Sequence, residues 1–257
     1  MSEKIIKEIQ SKLKDSAPQL TKEQIMRRNK VLNSKNPNFF GYGHKMVLLE
    51  KLARTIQQNL ECDYKVALDV FQSLMNSNIH EEKFMAVLFL NRFKKDFDEK
   101  IIELFLETFS ENCDTWALCD SSMIKILGPF LAKEQNETLA LETIKKWANH
   151  ENIWIRRASM VILLKIIMIK KTFDPPFVFD IIENIFNSAG EPEQYIHKGI
   201  GWLLKTCSRY DQGSIIAYLK KNKDAFPRLI LRYASEKLPK EIQKKILQKS
   251  TSKRSHP

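Results

Sequence analysis

Residues 150–164 read HENIWIRRASMVILL, and they repeat the pattern of residues 80–93, HEEKFMAVLFLNRF. After its first turns the stretch at 150–164 is apolar nearly all round, which is typical of a helix buried between layers, and the stretch at 80–93 echoes it. Ala86 and Ala158 are 72 positions apart (158 − 86), about the length of two HEAT-type helical hairpins. Further echoes occur at residues 193–207 and, more weakly, 225–238. The sequence therefore predicts repeating helical pairs.

Residues that form turns are scarce along the chain. It contains seven glycines, and no proline lies between Pro37 and Pro129. We therefore predict an all-α protein. Stacked helical pairs form a curved array with a continuous concave surface, so the fold class is an α-solenoid of HEAT-like helical hairpins. The predicted helices cover residues 2–14, 21–33, 44–59, 63–76, 80–94, 98–110, 113–127, 136–148, 152–170, 175–188, 193–209, 212–222, 226–236 and 240–249.

The charge of the chain is uneven. Its 42 basic and 31 acidic residues give a formal net charge of +11, which favours a polyanionic partner such as nucleic acid. Residues 237–257 hold seven basic residues and one acidic residue, so this segment carries +6 (7 − 1) and the rest carries +5 (11 − 6). We predict a single repeat domain over residues 1–240, then a last helix and a basic, disordered tail over residues 241–257.

Several kinds of site and location are disfavoured. The four cysteines lack CxxC spacing and lie in apolar segments, as expected of buried thiols in a reducing compartment. The N-terminus has no apolar signal segment, and the apolar run at residues 160–169 is too short to cross a membrane. Neither a GxGxxG nor a Walker loop occurs, and the histidines lack metal-ligand spacing. We expect a cytoplasmic protein with no cofactor, no metal and no membrane contact.

A carboxylate interrupts the apolar helix face predicted around residues 114–122, DTWALCDSS. Asp120 projects from the same side as Trp116, because residues four apart are neighbours on a helix. The rest of this face consists of Cys113, Met123 and Leu127. Asp120 is either an N-cap, where one helix ends and another starts, or a catalytic carboxylate beside an aromatic wall that stabilises an oxocarbenium-like sugar.

The helix predicted over residues 193–209 has two different faces. Its core face consists of Ile196, Ile200, Leu203 and Cys207. Trp202 falls on the opposite side and is predicted to be exposed. Its neighbours there are Tyr195, Lys198, Lys205 and Arg209. An aromatic ring among cations suits a sugar or base flanked by phosphates, and the alternative is that Trp202 packs against the next repeat.

Two arginines, Arg156 and Arg157, lie in the first turns of the helix predicted over residues 152–170. Cations at a helix N-terminus oppose the helix dipole, so a bound anion would relieve both. Free backbone N–H groups favour phosphate at such a terminus, and arginine adds a bidentate donor. The alternative is that Glu151 or another surface acid pairs with the arginines.

Three segments, in this order, resemble the AlkD-type DNA alkylation repair family, which consists of glycosylases built from HEAT-like repeats. They are TWALCDSS at 115–122, NIWIRRASM at 152–160 and IHKGIGWLLK at 196–205. The resemblance covers most of the chain, roughly from FFGYGHKMVLLEKL at residue 39 to the last helices. It implies an all-α solenoid with a concave, basic DNA-binding groove.

The resemblance also implies roles for individual residues. Trp116, Asp120 and Trp202 would line the lesion site, and Arg157 would contact the DNA backbone. Family members excise positively charged bases such as 3-methyladenine and 7-methylguanine by hydrolysing the N-glycosidic bond without base flipping. Asp120 would stabilise positive charge at C1′ and orient the attacking water. A general acid is dispensable because the alkylated base already leaves readily.

The partner implied is double-stranded DNA with alkylated bases, and we expect a nucleoid-associated monomer. One departure from the family lies in RRNKVLNSKNPN at 27–38, which lacks a tyrosine that often approaches the DNA there, although Arg27, Arg28 and Lys30 remain to meet phosphate. Some relatives with this fold bind unusual DNA without excising bases. The alternative function is therefore a non-catalytic binder of damaged or branched DNA, and a third is a helical-repeat scaffold for proteins.

Overall fold

Helices dominate the computed structural model, which describes residues 1–32, 34, 36–188 and 194–248. Within these ranges no β-strand forms, and an isolated parallel bridge joins Phe40 to Ile79. The all-α prediction is confirmed. The chain divides into two compact units, Met1–Phe130 and Leu131–Pro257. The single repeat domain over residues 1–240 stays a prediction, and the basic tail after the last helix falls at residues 249–257, outside the described ones.

Unit 1 contains two layers of helices. In one layer α5 packs against α3 and α7, and in the other α4 packs against α1 and α6, with α4 and α5 in extensive contact. The second helix, α2, is mostly exposed and buries Leu32. The helices are α1 (Ser2–Asp15), α2 (Lys22–Leu32), α3 (Met46–Asn59), α4 (Tyr64–Met75), α5 (His80–Leu90), α6 (Lys100–Asn112), α7 (Trp116–Ser122) and α8 (Gly128–Leu131), which reaches the unit boundary.

Unit 2 repeats the two-layer arrangement. One layer consists of α10, α12 and α14 side by side, while α9, α11, α13 and α15 form the other. This stacking of helical pairs confirms the predicted α-solenoid, whose assignment to the HEAT type stays a prediction. The helices are α9 (Glu137–Ala148), α10 (Ile153–Lys170), α11 (Pro175–Ser188), α12 (Gln194–Cys207), α13 (Gln212–Lys221), α14 (Arg228–Ala234) and α15 (Lys240–Leu247).

The predicted helices are present, with ends shifted by a few residues; predicted end positions 33, 193 and 249 lie outside the described residues. The two echoing segments become α5 and α10, and their apolar runs are buried from Phe84 to Leu90 and from Ile155 to Leu164. The helix predicted over residues 113–127 differs most. It begins only at Trp116, and Met123–Leu127 has the wider π-helical geometry.

A buried carboxylate fixes the loop that leads into α3. Glu81 accepts hydrogen bonds from the backbone N–H groups of Tyr42 (2.9 Å), Gly43 (2.6 Å) and His44 (3.2 Å). Consecutive N–H groups converge in this way only if the chain turns sharply, and Gly43 has a φ of +93° that side-chain-bearing residues rarely adopt. Glu81 therefore ties this loop to the start of α5.

Substitution of Gly43 tests how tightly this loop is fixed. A Cβ atom at Gly43 would lie 2.4 Å from Cδ1 of Leu20, besides requiring the strained φ. We expect Gly43→Ala to lower the free energy of unfolding by about 1–3 kcal/mol. Gly213→Ala is the matched control, because its Cβ would meet Asp211 at an ordinary 3.5 Å inside a helix. Urea unfolding checks both, and equal midpoints for the two variants would contradict the assignment.

Candidate nucleic-acid interface

Asp120 lies inside α7 and does not cap a helix. The N-cap of α7 is Thr115, whose side-chain oxygen accepts from the backbone N–H of Leu118 at 3.3 Å. Asp120 is the fifth residue of α7, and the chain continues past Ser122 as π-helix without a break. The N-cap interpretation is therefore wrong. Asp120 is 8% exposed, so its carboxylate is nearly buried in the middle of a helix.

Trp116 and Asp120 share one face of α7, as the four-residue spacing predicts. The other residues of the predicted face, Cys113, Met123 and Leu127, are buried. Trp116 is half-buried, and its indole N–H donates to the backbone oxygen of Val31 at 3.0 Å. This bond fixes the ring against the end of α2, whose exposed cations include Arg27 and Lys30.

The turn after Asp120 is unusual. Residues Met123–Leu127 form a π-helical segment, a wide turn that is rare in proteins and occurs frequently at functional sites. It changes the angular spacing between Asp120 and the side chains that follow, among them Lys125. The sequence carries no clear signal of this feature, because an α-helix and a π-turn bury the same apolar residues.

Lys83 supports the segment before α7 and was not identified from sequence. It is 3% exposed, and its ammonium group donates to the Asn112 carbonyl at 2.6 Å and to Asp114 Oδ2 at 3.0 Å. Asn36 also donates to Asp114 Oδ2, at 3.4 Å. The signal was a lysine directly before an otherwise apolar run, since a buried ammonium group requires such partners.

In unit 2 the start of α10 holds both predicted arginines at low exposure. Asn152 caps the helix by accepting from the N–H groups of Trp154 and Ile155. Arg156 is 6% exposed and donates to the carbonyls of His150 (2.9 Å) and Glu151 (2.7 Å). These bonds give Arg156 a structural role in closing the turn before α10. Its predicted DNA contact stays a prediction.

Arg157 connects α10 to α12. It is 4% exposed, and its guanidinium donates to the backbone oxygen of Tyr195. The Tyr195 ring lies 5.3 Å from the Trp154 ring between centroids, and Lys198 Nζ lies 5.8 Å from the Tyr195 ring. Arg157, Tyr195 and Lys198 therefore form one cationic and aromatic cluster.

Helix α12 has the predicted core face, because Ile196, Ile200, Leu203 and Cys207 are all buried. Trp202, predicted to be exposed, is instead half-buried. The reason is that α12 lies between α10 and α14. A Cβ atom at Gly201 would lie 2.4 Å from the Tyr233 Cβ, so glycine is needed for the close approach to α14.

The remaining predicted cations differ in their surroundings. Lys205 forms an ion pair with Glu236 at 3.0 Å and lies over the Tyr233 ring. The hydrogen bond and the charge of Lys205 lower the pKa of the Glu236 carboxyl. Lys198 is half-buried and Arg209 is exposed. The structure thus groups Trp116 with Asp120 in unit 1, and the predicted arginines, lysines and Trp202 along α10 and α12 in unit 2.

Paired helices stacked in two layers define an α-solenoid. In unit 2, helices α10 and α12 of one layer carry cationic and aromatic side chains. The chain belongs to the family of DNA alkylation repair enzymes, which it matches over residues 9–238. A solved structure described as a predicted DNA alkylation repair enzyme from Enterococcus faecalis has the same fold. It is 17% identical, with a TM-score of 0.70, and the match covers 86% of this chain and 98% of that one.

Comparison with curated proteins gives no match. Membership of the family makes this chain a DNA repair enzyme by class, with DNA as its partner, and confirms the resemblance found in the sequence. None of the helices described has the length and apolarity needed to cross a membrane.

Removal of the Lys83 ammonium group should loosen the segment before α7. Lys83→Met leaves Asp114 without its cation in a nearly buried position, so we expect the free energy of unfolding to fall by about 3 kcal/mol. Lys65→Met, on the exposed side of α4, is the control and should change it by about 0.5 kcal/mol or less. Urea denaturation of both variants measures the difference. A Lys83 variant as stable as the control would show that the ion pair is not structural.

Proposed function

We propose that this chain is a DNA glycosylase that removes positively charged alkylated bases, of the 3-methyladenine and 7-methylguanine type, from double-stranded DNA. The proposal rests mainly on one observation: a carboxylate of low exposure, Asp120, lies mid-helix one turn from a half-buried tryptophan, Trp116, and has no capping role. Burial makes a carboxylate more effective at stabilising nearby positive charge, because water screens it less. Family membership supports the reaction class.

In the proposed reaction, the bond between C1′ and the base nitrogen breaks and its electron pair moves to the base. The base leaves as a neutral molecule, because it carried a positive charge beforehand, and no acid is needed to protonate it. Positive charge develops on the sugar, where Asp120 stabilises it electrostatically. Asp120 also orients a water molecule, whose oxygen bonds to C1′ and whose proton passes to solvent.

The aromatic side chains have a positioning role in this proposal. In unit 1, Trp116 would contact the deoxyribose beside Asp120, and the base would remain without being flipped into a pocket. Trp116 suits this task because its hydrogen bond to Val31 fixes the ring. The half-buried state of Trp202 leaves part of its surface for a sugar while holding the rest against the protein.

The cations along α10 and α12 would contact DNA phosphates. Arg157 and Lys198 lie in one cluster around Tyr195, and Arg209 is exposed two residues after the end of α12. Lys205 would leave Glu236 to contact a phosphate. This exchange costs little free energy, because the ion pair is partly exposed. Such contacts position the duplex without reading its sequence. Arg156 would contribute through the shape of the turn before α10.

Asp120→Asn separates chemistry from binding. The amide keeps the shape of the side chain but removes its charge, so single-turnover release of 7-methylguanine should fall about a hundredfold or more, while DNA affinity changes little. Asp69→Asn, an exposed carboxylate on α4, should leave the rate unchanged. Equal rates for the Asp120 variant and the wild type would refute the catalytic role. Release by neither protein would favour a non-catalytic binder of damaged or branched DNA.

Arg209→Ala tests the phosphate contacts of unit 2. Each phosphate contact adds about 0.9 to the slope of log affinity against log salt, so the variant should lose about one unit of slope. Affinity for alkylated and for undamaged duplex should fall by the same factor, because a phosphate contact does not recognise the lesion. The matched control is Lys220→Ala, an exposed lysine on α13 in the other layer. An unchanged slope, or a loss confined to alkylated DNA, would contradict the assignment.

A further inference from the structure

Unit 1 contains a cavity of about 200 Å³ that the proposed reaction does not use. It lies where α3, the end of α5 and the π-helical segment meet. Its polar lining consists of Glu50, Arg54, Asn91, Arg92 and Lys125. Three cations and one carboxylate share this space, so the cavity carries a formal excess of two positive charges (3 − 1).

The ion pair and the hydrogen bond inside the cavity do not remove its two excess positive charges. Lys125 forms an ion pair with Glu50 at 2.8 Å, and both side chains are about one-third exposed. Arg54 donates through Nε to the backbone oxygen of Glu50 at 3.3 Å, a contact that neutralises no charge. Arg92 is exposed. A partly exposed ion pair is weak, so Lys125 can leave Glu50 at low cost when a stronger anion is present.

Asn91 also lines the cavity. Its side-chain oxygen is buried, and among the residues described it accepts no hydrogen bond. A buried acceptor without a donor is destabilising. An amide oxygen cannot donate to a phosphate oxygen, so the indication of an anion comes from the cations of the lining.

We propose that this cavity binds one phosphate of the DNA backbone, close to the base that is excised. The inference rests on the proposed function for its ligand. Arginine and lysine side chains converging on one partly enclosed space are the groups that recognise phosphate. Arg54, Arg92 and Lys125 would contact the phosphate oxygens, and Glu50 would release Lys125.

The position of Lys125 gives this phosphate a defined relation to Asp120. Lys125 follows Asp120 by five residues in one continuous helical stretch, which corresponds to about 7 Å along its axis. A DNA strand advances about 3.4 Å per nucleotide along the duplex axis. A phosphate bound beside Lys125 would therefore lie within a few nucleotides of the reacting sugar, and it would help to set the register of the strand against Asp120.

Substitutions at the ion pair should act in opposite directions. Lys125→Ala removes one charged phosphate contact and should weaken the binding of a short alkylated duplex about fivefold to tenfold. Glu50→Gln removes the competing carboxylate and should tighten binding by about threefold. Lys7→Ala, at an exposed lysine on α1, is the control and should change nothing. Weaker binding by the Glu50 variant would overturn the proposal.

The decisive experiment replaces single phosphates by neutral methylphosphonates, at successive linkages within about three nucleotides of one 7-methylguanine, and measures affinity by fluorescence anisotropy. Neutralising one of these linkages should weaken wild-type binding about fivefold to tenfold. The same change should leave binding by the Lys125→Ala protein unaffected, because that protein already lacks the contact. If the neutral linkage weakens binding by the Lys125→Ala protein by the same factor as wild-type binding, Lys125 does not contact that phosphate, and the proposal is overturned. Melting curves confirm that both variants are folded.

The outcomes distinguish this site from the proposed function. Normal base excision with no sensitive linkage would overturn the phosphate site alone. A sensitive linkage without base excision would support the site and refute the glycosylase. If inorganic phosphate binds the wild type and not Lys125→Ala while no linkage is sensitive, the ligand is free phosphate, and the DNA proposal is overturned. An absence of DNA binding would overturn both.

Discussion

Charged side chains buried at the starts of α5 and α10 must find hydrogen-bond partners, and much of the local structure depends on this constraint. Glu81 gathers three backbone N–H groups of the loop before α3, and Lys83 holds the segment before α7. Arg156 closes the turn before its own helix, while Arg157 reaches the first turn of α12. The polar starts that the sequence repeats thus hold loops and neighbouring helices in place.

The sequence predicts the helices and their buried faces well, because burial follows the helical period directly. The core face of α12 and the buried runs of α5 and α10 show this. Interactions between distant segments were not predictable in the same way. The half-burial of Trp202 depends on the packing of α12 between α10 and α14, and the partners of Lys83 lie 29 and 31 residues further along the chain.

Asp120 illustrates both cases. Its place on the face of Trp116 follows from a four-residue spacing, so the sequence was sufficient to single it out. Its role as an N-cap had the same support in the sequence as a role within a helix. The N-cap role is excluded only by the structure, in which Thr115 is the actual cap and the chain continues after Ser122 as π-helix. Local patterns give the candidate residue, and tertiary structure decides what it can do.

The proposed site places a carboxylate close to a polyanion, and this raises an electrostatic question. Asp120 repels the phosphates of any duplex, so unaided it would weaken DNA binding. Cations at the cavity around Lys125 and along α12 would offset that repulsion for every DNA sequence alike. The remaining interaction of Asp120 is then with the lesion, because an alkylated base adds positive charge that an undamaged base lacks. On this argument the carboxylate that assists bond cleavage also favours the charged lesion over normal bases, without a pocket that encloses the base.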